Sequence, residues 1–527
     1  MKKYLLFFLI IISLVISGCA TAPLYQKDIE SRLTVLYTND HHGHFWENSN
    51  GEGGFAAQKT LVDRVRKEVK SAGGHVLLLS AGDINTGMPE SDLLDAEPDF
   101  KAMSAIGYDA MALGNHEFDN PLDVLVKQKQ WATFPFLSAN TVKKSTGKPL
   151  FDVFKIWDFD GLKVAVIGFT TADTPELVSA GNVETLEFKD PVEVAKSTVP
   201  KLRKKAAVVI ALAHMGYYEN AQYGSNAPGV VTLARSVAGI DVIVGGHSHN
   251  KIAEPVIENG TLIVQAEDDG KYVGRLDLTF KNGVVSIQSN RLIPVNLKKK
   301  IKKDGQDVRV FIEEEIQADP EMLALLTPFF EQGQSELTKV IGSTTGEFIG
   351  ERKIVRSQET NLGNLIARTQ RLKVGADVAI MNSGGIRTSI AKGDITYKGV
   401  LEVQPFSNSI CLVTLTGKEL KQYVEIAANK TPGSGAYAQF DNANVVMKGE
   451  SLESLSVGGS PVDDAKKYRL AINSFIAAGG DGYMKVTGLP TFVDSGFIDA
   501  DILKEYIQKN SPLNPNDFAP TGDVIRK

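Results

Sequence analysis

Short, continuous apolar runs are the feature of this sequence that most constrains its fold. The runs are apolar throughout and do not alternate with polar residues, which is typical of strands covered on both faces in a layered α/β domain. Helical or loop stretches separate them. They lie at Leu33–Thr38, Val76–Ser80, Ala110–Leu113, Val164–Phe169, Val208–Ala213, Val242–Val244 and Leu262–Gln265. We therefore predict a layered α/β domain in the first part of the chain.

Length and charge narrow the class of protein further. The chain has 527 residues, which is too long for one ordinary domain and predicts two or three. Its 43% hydrophobic and 23% charged residues exclude global disorder and a polytopic membrane protein. The net charge of −6 argues against binding of a nucleic acid polymer, because no large basic surplus exists to neutralise phosphates.

The first residues have the pattern of a secretion signal. Lys2 and Lys3 precede the apolar run Leu5–Ile16, which is too short to span a membrane but suits a signal-peptide core. The run leads into Ser17-Gly18-Cys19, which resembles a bacterial lipobox. We predict a lipoprotein signal peptide over residues 1–18, a lipidated Cys19 and a tether over 19–30. An ordinary signal peptide with an incidental cysteine is the alternative.

The lipobox implies a location and leaves one thiol in the mature chain. Ala20 after the cysteine suggests, by the sorting habit of Gram-negative lipoproteins, anchoring at the outer membrane or the periplasmic side of the envelope. The lipid would be the only membrane contact. Loss of Lys2 and Lys3 would lower the net charge from −6 to −8. Cys411 lies in an apolar run and is predicted to be a buried core thiol.

A helix is predicted to join two domains. Asp319-Pro320-Glu321 combines an N-cap residue, proline at the first helical position and an acid in the first turn. The helix is expected to reach about Val340, with a bend at Pro328. We predict a first domain over residues 31–319, a linker helix over 320–340 and a second domain over 341–527. The second domain has strand-like runs at Val378–Met381, Ile410–Leu415 and Leu470–Ile472.

One charged stretch is predicted to have no binding role. The residues Lys298–Lys303 include five lysines and one isoleucine. Such a run is typical of a solvated loop.

Polar side chains that bind metals follow five of the apolar runs. Because ligands collect beyond the carboxyl ends of strands in α/β sheets, these five segments can converge on one site. Seven side chains could serve two metals if one carboxylate bridges them. Carboxylate, amide and imidazole donors suit Zn²⁺, Mn²⁺, Co²⁺ or Fe better than Ca²⁺. The candidate ligands are Asp40, His42, Asp83, Asn115, His214, His247 and His249.

The same segments carry a family resemblance. Thr38-Asn39-Asp40-His41-His42, Gly82-Asp83, Gly114-Asn115-His116-Glu117, Ala213-His214 and Gly246-His247-Ser248-His249 resemble the five motifs of calcineurin-like metallophosphoesterases. More narrowly, they resemble the bacterial periplasmic 5′-nucleotidase/UDP-sugar hydrolase family. This resemblance implies a layered sandwich of mixed sheets covered by helices, with a second, smaller α+β substrate-binding domain joined by a helix.

The resemblance also implies roles for the site residues. Asp83 would bridge two metals that polarise phosphoryl oxygens and activate water. His116, oriented by Asp119, would stabilise phosphoryl charge or assist the leaving group. His41, His44 and His75 match no ligand position and are expected to be structural or surface residues. The remaining ligands would divide into two sets, Asp40, His42 and His249 on one metal and Asn115, His214 and His247 on the other.

The second domain resembles the C-terminal domain of the same family. In that family two phenylalanines sandwich the base, an aspartate holds the ribose hydroxyls and arginines meet the phosphate. Stacking on aromatic rings tolerates different bases, and an arginine fork matches phosphate oxygens. Carried over to this sequence, the substrate-binding residues would be Arg356, Asn382, Arg387, Phe406, Asn408, Phe475 and Asp481.

The sequence therefore predicts a metal-dependent, extracytoplasmic 5′-nucleotidase that closes its two domains around a nucleotide. Enzymatic alternatives that share the first domain are a UDP-sugar hydrolase, a 2′,3′-cyclic nucleotide phosphodiesterase/3′-nucleotidase and a thiosulfohydrolase, the last disfavoured by the phenylalanine pair. A nucleotide-binding lipoprotein without chemistry and a surface adhesin are the non-enzymatic alternatives. The sequence leaves open the oligomeric state and the identity of the two divalent metals among zinc, manganese, cobalt and magnesium.

Overall fold

The computed structural model describes residues 23–178, 180–218, 228–303, 306–406 and 408–527. Within these residues the chain forms two domains around separate hydrophobic cores. The predicted signal peptide over residues 1–18 and the predicted lipidation site Cys19 lie outside the described residues. No helix in the described ranges has the length and apolar character needed to cross a membrane.

The first domain is built on two six-stranded sheets, with two two-stranded sheets beside them. Its strands follow the predicted apolar runs closely. In chain order they are β1 (Ser31–Thr38), β2 (His75–Ser80), β3 (Ala110–Ala112), β4 (Phe136–Leu137), β5 (Thr141–Lys143), β6 (Phe154–Phe159), β7 (Leu162–Thr170), β8 (Leu186–Phe188), β9 (Val208–His214), β10 (Val242–Gly245), β11 (Lys251–Glu258), β12 (Thr261–Ala266), β13 (Tyr272–Lys281), β14 (Val284–Pro294), β15 (Lys298–Lys303) and β16 (Gln306–Phe311).

The two large sheets pack face to face. One has the strand order β14-β13-β1-β2-β3-β4 and the other has the order β11-β12-β10-β9-β7-β6. Their central strands are parallel, whereas β13, β14, β6 and β11 pair antiparallel, so both sheets are mixed. Buried side chains such as Val35, Leu79, Val166 and Ile210 fill the space between them. Burial on both faces is the reason that these strands are apolar throughout.

Helices cover the outer faces of the sandwich. Apolar side chains of α1, α3, α4 and α9 pack on the first sheet, and those of α7 and α8 pack on the second. The prediction of a layered sandwich with mixed sheets is confirmed. The helices are α1 (Phe55–Ser71), α2 (Pro89–Asp92), α3 (Glu97–Ile106), α4 (Leu122–Trp131), α5 (Thr174–Leu177), α6 (Ala180–Val183), α7 (Pro191–Leu202), α8 (Val230–Ser236) and α9 (Pro320–Leu337).

The lysine-rich stretch is a strand, so the prediction of a loop is wrong. Lys298–Lys303 forms β15 and pairs antiparallel with β16, Gln306–Phe311. Most side chains of both strands remain exposed, as the charge pattern indicated. A strand pairs through hydrogen bonds to the backbone of a neighbouring segment. The charges of the lysines do not indicate whether such a segment is present.

The predicted linker helix is α9. The Asp319 side chain accepts a hydrogen bond from the Met322 backbone N–H over 2.8 Å, so the expected N-cap is present. Pro328 lies inside the helix. Met322 and Leu326 are buried in the core of the first domain, so the helix packs on that domain while it leads to the second. The exact domain boundaries remain predictions.

The second domain has a five-stranded sheet of order β21-β18-β25-β20-β26 and a four-stranded sheet of order β24-β23-β22-β27. Its strands are β17 (Val340–Thr344), β18 (Val378–Asn382), β19 (Gly393–Thr396), β20 (Ser409–Thr416), β21 (Ala438–Asp441), β22 (Ala443–Lys448), β23 (Ser451–Val457), β24 (Ser460–Pro461), β25 (Lys467–Asn473), β26 (Phe492–Ile498) and β27 (Val524–Arg526).

Helices again cover both faces of the five-stranded sheet, α11, α12 and α15 on one and α13 on the other. Cys411 is fully buried in this core, as expected, and burial raises the pKa of its thiol. The helices are α10 (Arg352–Val355), α11 (Asn361–Lys373), α12 (Tyr397–Val403), α13 (Gly417–Ala428), α14 (Ser474–Ala477) and α15 (Asp499–Asn510).

Candidate metal centre and active site

The loops that follow β1, β2, β3, β9 and β10 converge at one edge of the sandwich. The parallel strands within each sheet end at the same edge, and packing of the two sheets brings both edges together. Six of the seven predicted ligands, with His116, form three overlapping groups whose donor atoms lie within 4.8 Å of one another. The groups are Asp40, His42 and His249; His42, Asp83 and His116; and Asp83, His214 and His247.

Asn115, the seventh predicted ligand, joins the last group. Its Oδ1 lies 3.2 Å from Nε2 of His214 and 2.8 Å from Nδ1 of His247. The structure therefore brings all seven predicted ligands together. Asp83 and His42 each belong to two of the groups, and of these two side chains only the Asp83 carboxylate has two oxygens with which to bridge two cations.

The backbone of this site is unusual. Five of the seven predicted ligands have φ between 50° and 80°, in the left-handed region that residues other than glycine rarely adopt. Such conformations cost on the order of 1 kcal/mol each and cluster at functional sites. The five are Asp40, His42, Asp83, His247 and His249.

One glycine allows two of these loops to meet. A Cβ atom at Gly114 would lie 2.0 Å from Oδ1 of Asp83, so no other residue fits there without moving the carboxylate. Asp83 and the Asn115–His116 segment can therefore approach each other closely.

The donor chemistry fits a bound cation. Nδ1 of His42 lies 2.8 Å from the backbone oxygen of Thr86, and Nδ1 of His249 lies 3.0 Å from Oδ2 of Asp268. Each ring therefore places its hydrogen on Nδ1 and leaves Nε2 as a lone-pair donor. The two Nε2 atoms lie 3.0 Å apart. Two lone pairs that face each other at this distance repel, unless a metal cation or a shared proton lies between them.

The electrostatics of the site also favour cations. Burial opposes charge on His214, but Asp83 and Asp40 outweigh it and raise the pKa of His214 to about 9. Burial likewise opposes ionisation of Asp83, yet the imidazoles of His214 and His116 hold its pKa well below the usual range. Buried carboxylates that stay ionised attract either protons on the histidines or metal ions.

His116 and Asp119 form the expected pair beside the ligands. Nδ1 of His116 donates to Oδ2 of Asp119 over 2.6 Å. Burial would lower the pKa of His116, but the carboxylates of Asp119 and Asp83 raise it well above its usual value. The backbone N–H of His116 also donates to Oδ1 of Asp83 over 2.9 Å, which ties the pair to the ligand cluster. The two carboxylates therefore favour the cationic form of His116.

The seven predicted substrate-binding residues line one cavity of about 460 Å³ in the second domain. Phe406 and Phe475 are 54% and 46% exposed, so neither is a core residue. The Arg387 guanidinium lies 5.4 Å from the centre of the Phe406 ring. The cavity is lined by Arg356, Asn382, Arg387, Phe406, Asn408, Phe475 and Asp481, together with glycines.

Polar contacts fix several of these side chains. The Asn382 amide donates to Oδ2 of Asp481 over 2.9 Å. Nδ2 of Asn408 lies 3.5 Å from Oδ2 of Asp499, behind the cavity. Arg356 is buried, and burial together with the charges of Arg352 and Arg387 lowers its pKa. Neighbouring cations that repel one another are a ready site for an anion.

Five of the seven predicted metal ligands line a different cavity. It has a volume of about 820 Å³ and lies between the domains, lined by His42, Asp83 and His116 on one side and by Phe492 and Asp494 of the second domain on the other. Phe406 lines both cavities. In this arrangement the predicted nucleoside site and the predicted metal site are neighbouring but separate.

Comparison with known proteins agrees with this architecture. Residues 33–251 match the calcineurin-like phosphoesterase family, and residues 340–488 match the 5′-nucleotidase C-terminal domain. The protein UshA of Yersinia enterocolitica is 50% identical over 528 residues, which cover 96% of each chain. A 5′-nucleotidase of Vibrio cholerae is 50% identical over 533 residues, covering 97% of this chain and 96% of the relative.

The chain belongs to the 5′-nucleotidase family. Its fold is also that of the NAD nucleotidase NadN of Haemophilus influenzae, with a TM-score of 0.79 at 23% identity, over 95% of this chain and 100% of that chain. The resemblance inferred from the five motifs is thereby confirmed for the family and for the fold.

Glu117 lies within one of the five family motifs, but no role for it was predicted from the sequence. Its buried carboxylate accepts backbone hydrogen bonds from Asp83 over 2.9 Å, Ile84 over 2.8 Å and Gly114 over 2.6 Å. Burial and the nearby Asp83 carboxylate raise the pKa of Glu117 to about 7. Glu117 thus joins the loops after β2 and β3, which carry Asp83 and Asn115.

Two further residues of the site, Arg352 and Asp268, were not predicted from the sequence. Arg352 is close enough to Arg356 to lower the pKa of that guanidinium. Asp268 contacts His249 from the loop after β12. The three histidines without a predicted ligand role occupy other places. His41 is buried and stacks on Phe55, His75 packs on Phe159 and His44 lines the larger cavity.

Proposed function

We propose that this member of the 5′-nucleotidase family hydrolyses nucleoside 5′-phosphates to nucleoside and phosphate. The observation that carries the proposal is the pairing of two sites in one chain. A cluster of metal donors with a cationic histidine lies beside a second cavity that has two exposed phenylalanines, an aspartate and arginines. The first suits a phosphate ester and the second suits a nucleoside, and a nucleotide contains both.

The residues that would hold two divalent cations are Asp40, His42 and His249 for one, Asn115, His214 and His247 for the other, and Asp83 for both. The cations, when bound, supply Lewis acidity toward the phosphoryl group and toward water. The choice among zinc, manganese, cobalt and magnesium stays open, although the imidazole donors favour zinc or cobalt over magnesium.

His116 would act on the phosphoryl group or on the leaving group. Its Nδ1 is occupied by Asp119, so its Nε2 is free to face substrate. As a cation it stabilises negative charge that develops on the phosphoryl oxygens, and it can donate a proton to the departing 5′-oxygen. Asp119 holds the tautomer and orientation that this role needs.

Closure of the two domains would bring the nucleoside cavity to the metal cluster. The support is that the two sites line different cavities with Phe406 common to both. Rotation of the second domain at the end of α9 would carry a nucleotide held by Phe406 and Phe475 toward His116. Domain motions of this kind commit a substrate and exclude water.

The chain would work on the periplasmic side of the envelope, anchored through lipid on Cys19. The support is the signal-like start of the sequence and the lipobox-like Ser17-Gly18-Cys19. Labelling with a radioactive fatty acid and replacement of Cys19 by alanine test this point. The anchor fails as a proposal if label appears equally in both proteins or in neither.

The test of the function is phosphate release from a panel of substrates. The panel contains AMP, ADP, ATP, UDP-glucose, 3′-AMP and 2′,3′-cyclic AMP, each assayed with several divalent metals. We expect release from AMP, loss of release after dialysis against a chelator and recovery when metal is added back. Retained AMP hydrolysis in fully metal-stripped protein would contradict the proposal, and a preference for UDP-glucose or cyclic AMP would move the chain to one of the alternative activities.

A further inference from the structure

His249 differs from the other imidazoles of the metal cluster in how it is held. Its side chain is 41% exposed, whereas the side chains of Asp40 and His214 are fully buried. Packing therefore fixes His249 less than it fixes its neighbours. An exposed side chain needs a specific polar contact to stay in one orientation, because its rotamers otherwise cost little to exchange.

Two of the other imidazoles, His42 and His214, use backbone partners, and His247 contacts the side-chain amide of Asn115. Nδ1 of His42 lies 2.8 Å from the backbone oxygen of Thr86, and Nδ1 of His214 lies 2.9 Å from that of Ala81. Nδ1 of His249 lies instead 3.0 Å from Oδ2 of Asp268, a side-chain carboxylate. Its Nε2 is directed at the cluster, 3.6 Å from Oδ1 of Asp40. The Asp268 carboxylate, the His249 imidazole and the predicted metal ligand Asp40 thus form a continuous series of contacts.

Asp268 is itself held in place. It lies in the loop after β12, the neighbour of β10, whose end leads to His247 and His249. The Lys271 ammonium contacts Oδ1 of Asp268, and it also lies 3.1 Å from Oδ2 of Asp269. The backbone N–H of Asp269 donates to the backbone oxygen of Asp40 over 2.7 Å, which joins this loop to the ligand loop after β1.

We propose that Asp268 is a positioning residue for the metal site of Asp40, His42 and His249. By accepting the Nδ1 hydrogen it fixes the tautomer of His249, aims the Nε2 lone pair at the cation and strengthens that nitrogen as a donor. Lys271 restrains the carboxylate from the other side. The inference rests on the proposed metal binding and adds a residue that neither the sequence motifs nor the family match assigns.

The consequence is selective for one of the two metals. Loss of a carboxylate behind a metal-binding histidine lowers metal affinity by roughly 10- to 100-fold. The site of Asn115, His214 and His247 has no contact with Asp268 among the described residues, so its affinity stays the same. Asp268→Asn should therefore weaken metal binding at one site and leave the affinity of the other site unchanged.

The experiment measures Zn²⁺ and Co²⁺ binding to metal-stripped full-length protein, in competition with a coloured chelator. We expect wild type to bind two ions, and Asp268→Asn to weaken one of them by 10- to 100-fold. The visible absorption of bound Co²⁺ should change for that ion alone. Asp268→Glu, which keeps a carboxylate, should restore part of the affinity.

Glu267→Gln is the matched control. It removes one negative charge from the same loop, and Glu267 has no side-chain contact with His249 in the described structure. We expect its two affinities to lie within about twofold of wild type. A loss as large as that of Asp268→Asn would assign the effect to the electrostatic field of the loop and overturn the proposal.

A double-mutant cycle keeps the inference testable if Asp268→Asn loosens the loop. In a His249→Gln background there is no imidazole for Asp268 to orient. Adding Asp268→Asn should therefore change neither metal affinity further. Equal losses in both backgrounds, or equal weakening of both ions, would overturn the proposal. Failure of the proposed function is a separate result, since it would appear as wild-type protein that binds metal without hydrolysing AMP or that binds none.

Discussion

Asp119 accepts a hydrogen bond from Nδ1 of His116 over 2.6 Å, and the same carboxylate oxygen accepts another from the Thr86 hydroxyl over 2.6 Å. The carboxylate that orients the histidine is therefore itself oriented. Thr86 also supplies the backbone oxygen that holds His42, so the dyad and the metal cluster share a support.

Asp119→Asn should lower kcat for AMP by about 10²- to 10⁴-fold, the range that a well-placed acid or base contributes. The amide cannot stabilise the His116 cation, so the pKa of His116 falls and activity is lost at a lower pH on the alkaline side of the profile. Phosphate release across pH, with metal content checked in the same sample, measures this. Thr86→Val is the graded control and should cost less. Turnover within twofold of wild type would show that the pair has no catalytic role.

The phenylalanine pair should matter for nucleotides and not for simple phosphate esters. Phe475→Ala is expected to raise KM for AMP by roughly 5- to 150-fold, because stacking of a base on an aromatic ring contributes about 1–3 kcal/mol. Hydrolysis of p-nitrophenyl phosphate, which carries no base, should change little. Phe475 is 46% exposed, so the melting temperature should hardly move.

The control for Phe475 is Ile525→Ala, another exposed apolar residue of the second domain, at 51% exposure. It should leave both KM values unchanged. If Phe475→Ala weakens both substrates equally, the ring supports the structure of the site and does not stack on a base.

Many residues of this site could be predicted from the sequence, because the ends of the strands can be recognised in the sequence. Each ligand motif follows an apolar run, and parallel strands bring such ends together. The left-handed backbone at Asp40 or His247 is not visible, since it depends on hydrogen bonds between loops that are remote in the chain. Asp268 was missed for the same reason. It reaches His249 only because β12 lies beside β10.

The fold differs from expectation at the lysine-rich stretch. Lys298–Lys303 has a run of lysines that is typical of a loop, but its backbone pairs with a neighbouring strand. Only the structure reveals that neighbouring strand. The helix after Asp319 begins where its N-cap predicts, yet its apolar face packs on the first domain. Local signals determine where elements begin, whereas their neighbours depend on the whole chain.

Glu117→Gln should disturb the metal site without touching a metal ligand. The carboxylate accepts four backbone N–H groups, and an amide offers one acceptor oxygen and turns its NH₂ group toward a donor. Leaving one buried N–H unpaired costs about 1–3 kcal/mol. We expect a lower melting temperature and reduced metal content.

Metal analysis and calorimetry of Glu117→Gln measure these two effects together. Glu347→Gln, an acid of the second domain, is the control and should change neither. Normal metal content with an unchanged melting temperature would show that Glu117 does not hold the two loops.

Asp499 should make the stability of the second domain depend on pH. Burial raises its pKa from the ordinary 3.8 to about 7, although the Ala500 backbone N–H and Asn408 oppose the shift. Between these two values the folded protein keeps a proton that the unfolded chain has lost. Stability contributed by this group therefore falls as pH rises from about 4 to 7, and the full penalty, on the order of 4 kcal/mol, applies above pH 7. Asp499→Asn removes this titration. Its melting temperature relative to wild type should rise steadily from pH 4 to 7 and then level off, as followed by scanning calorimetry of the full chain. A difference that stays constant across this range would show that Asp499 ionises normally in the folded protein.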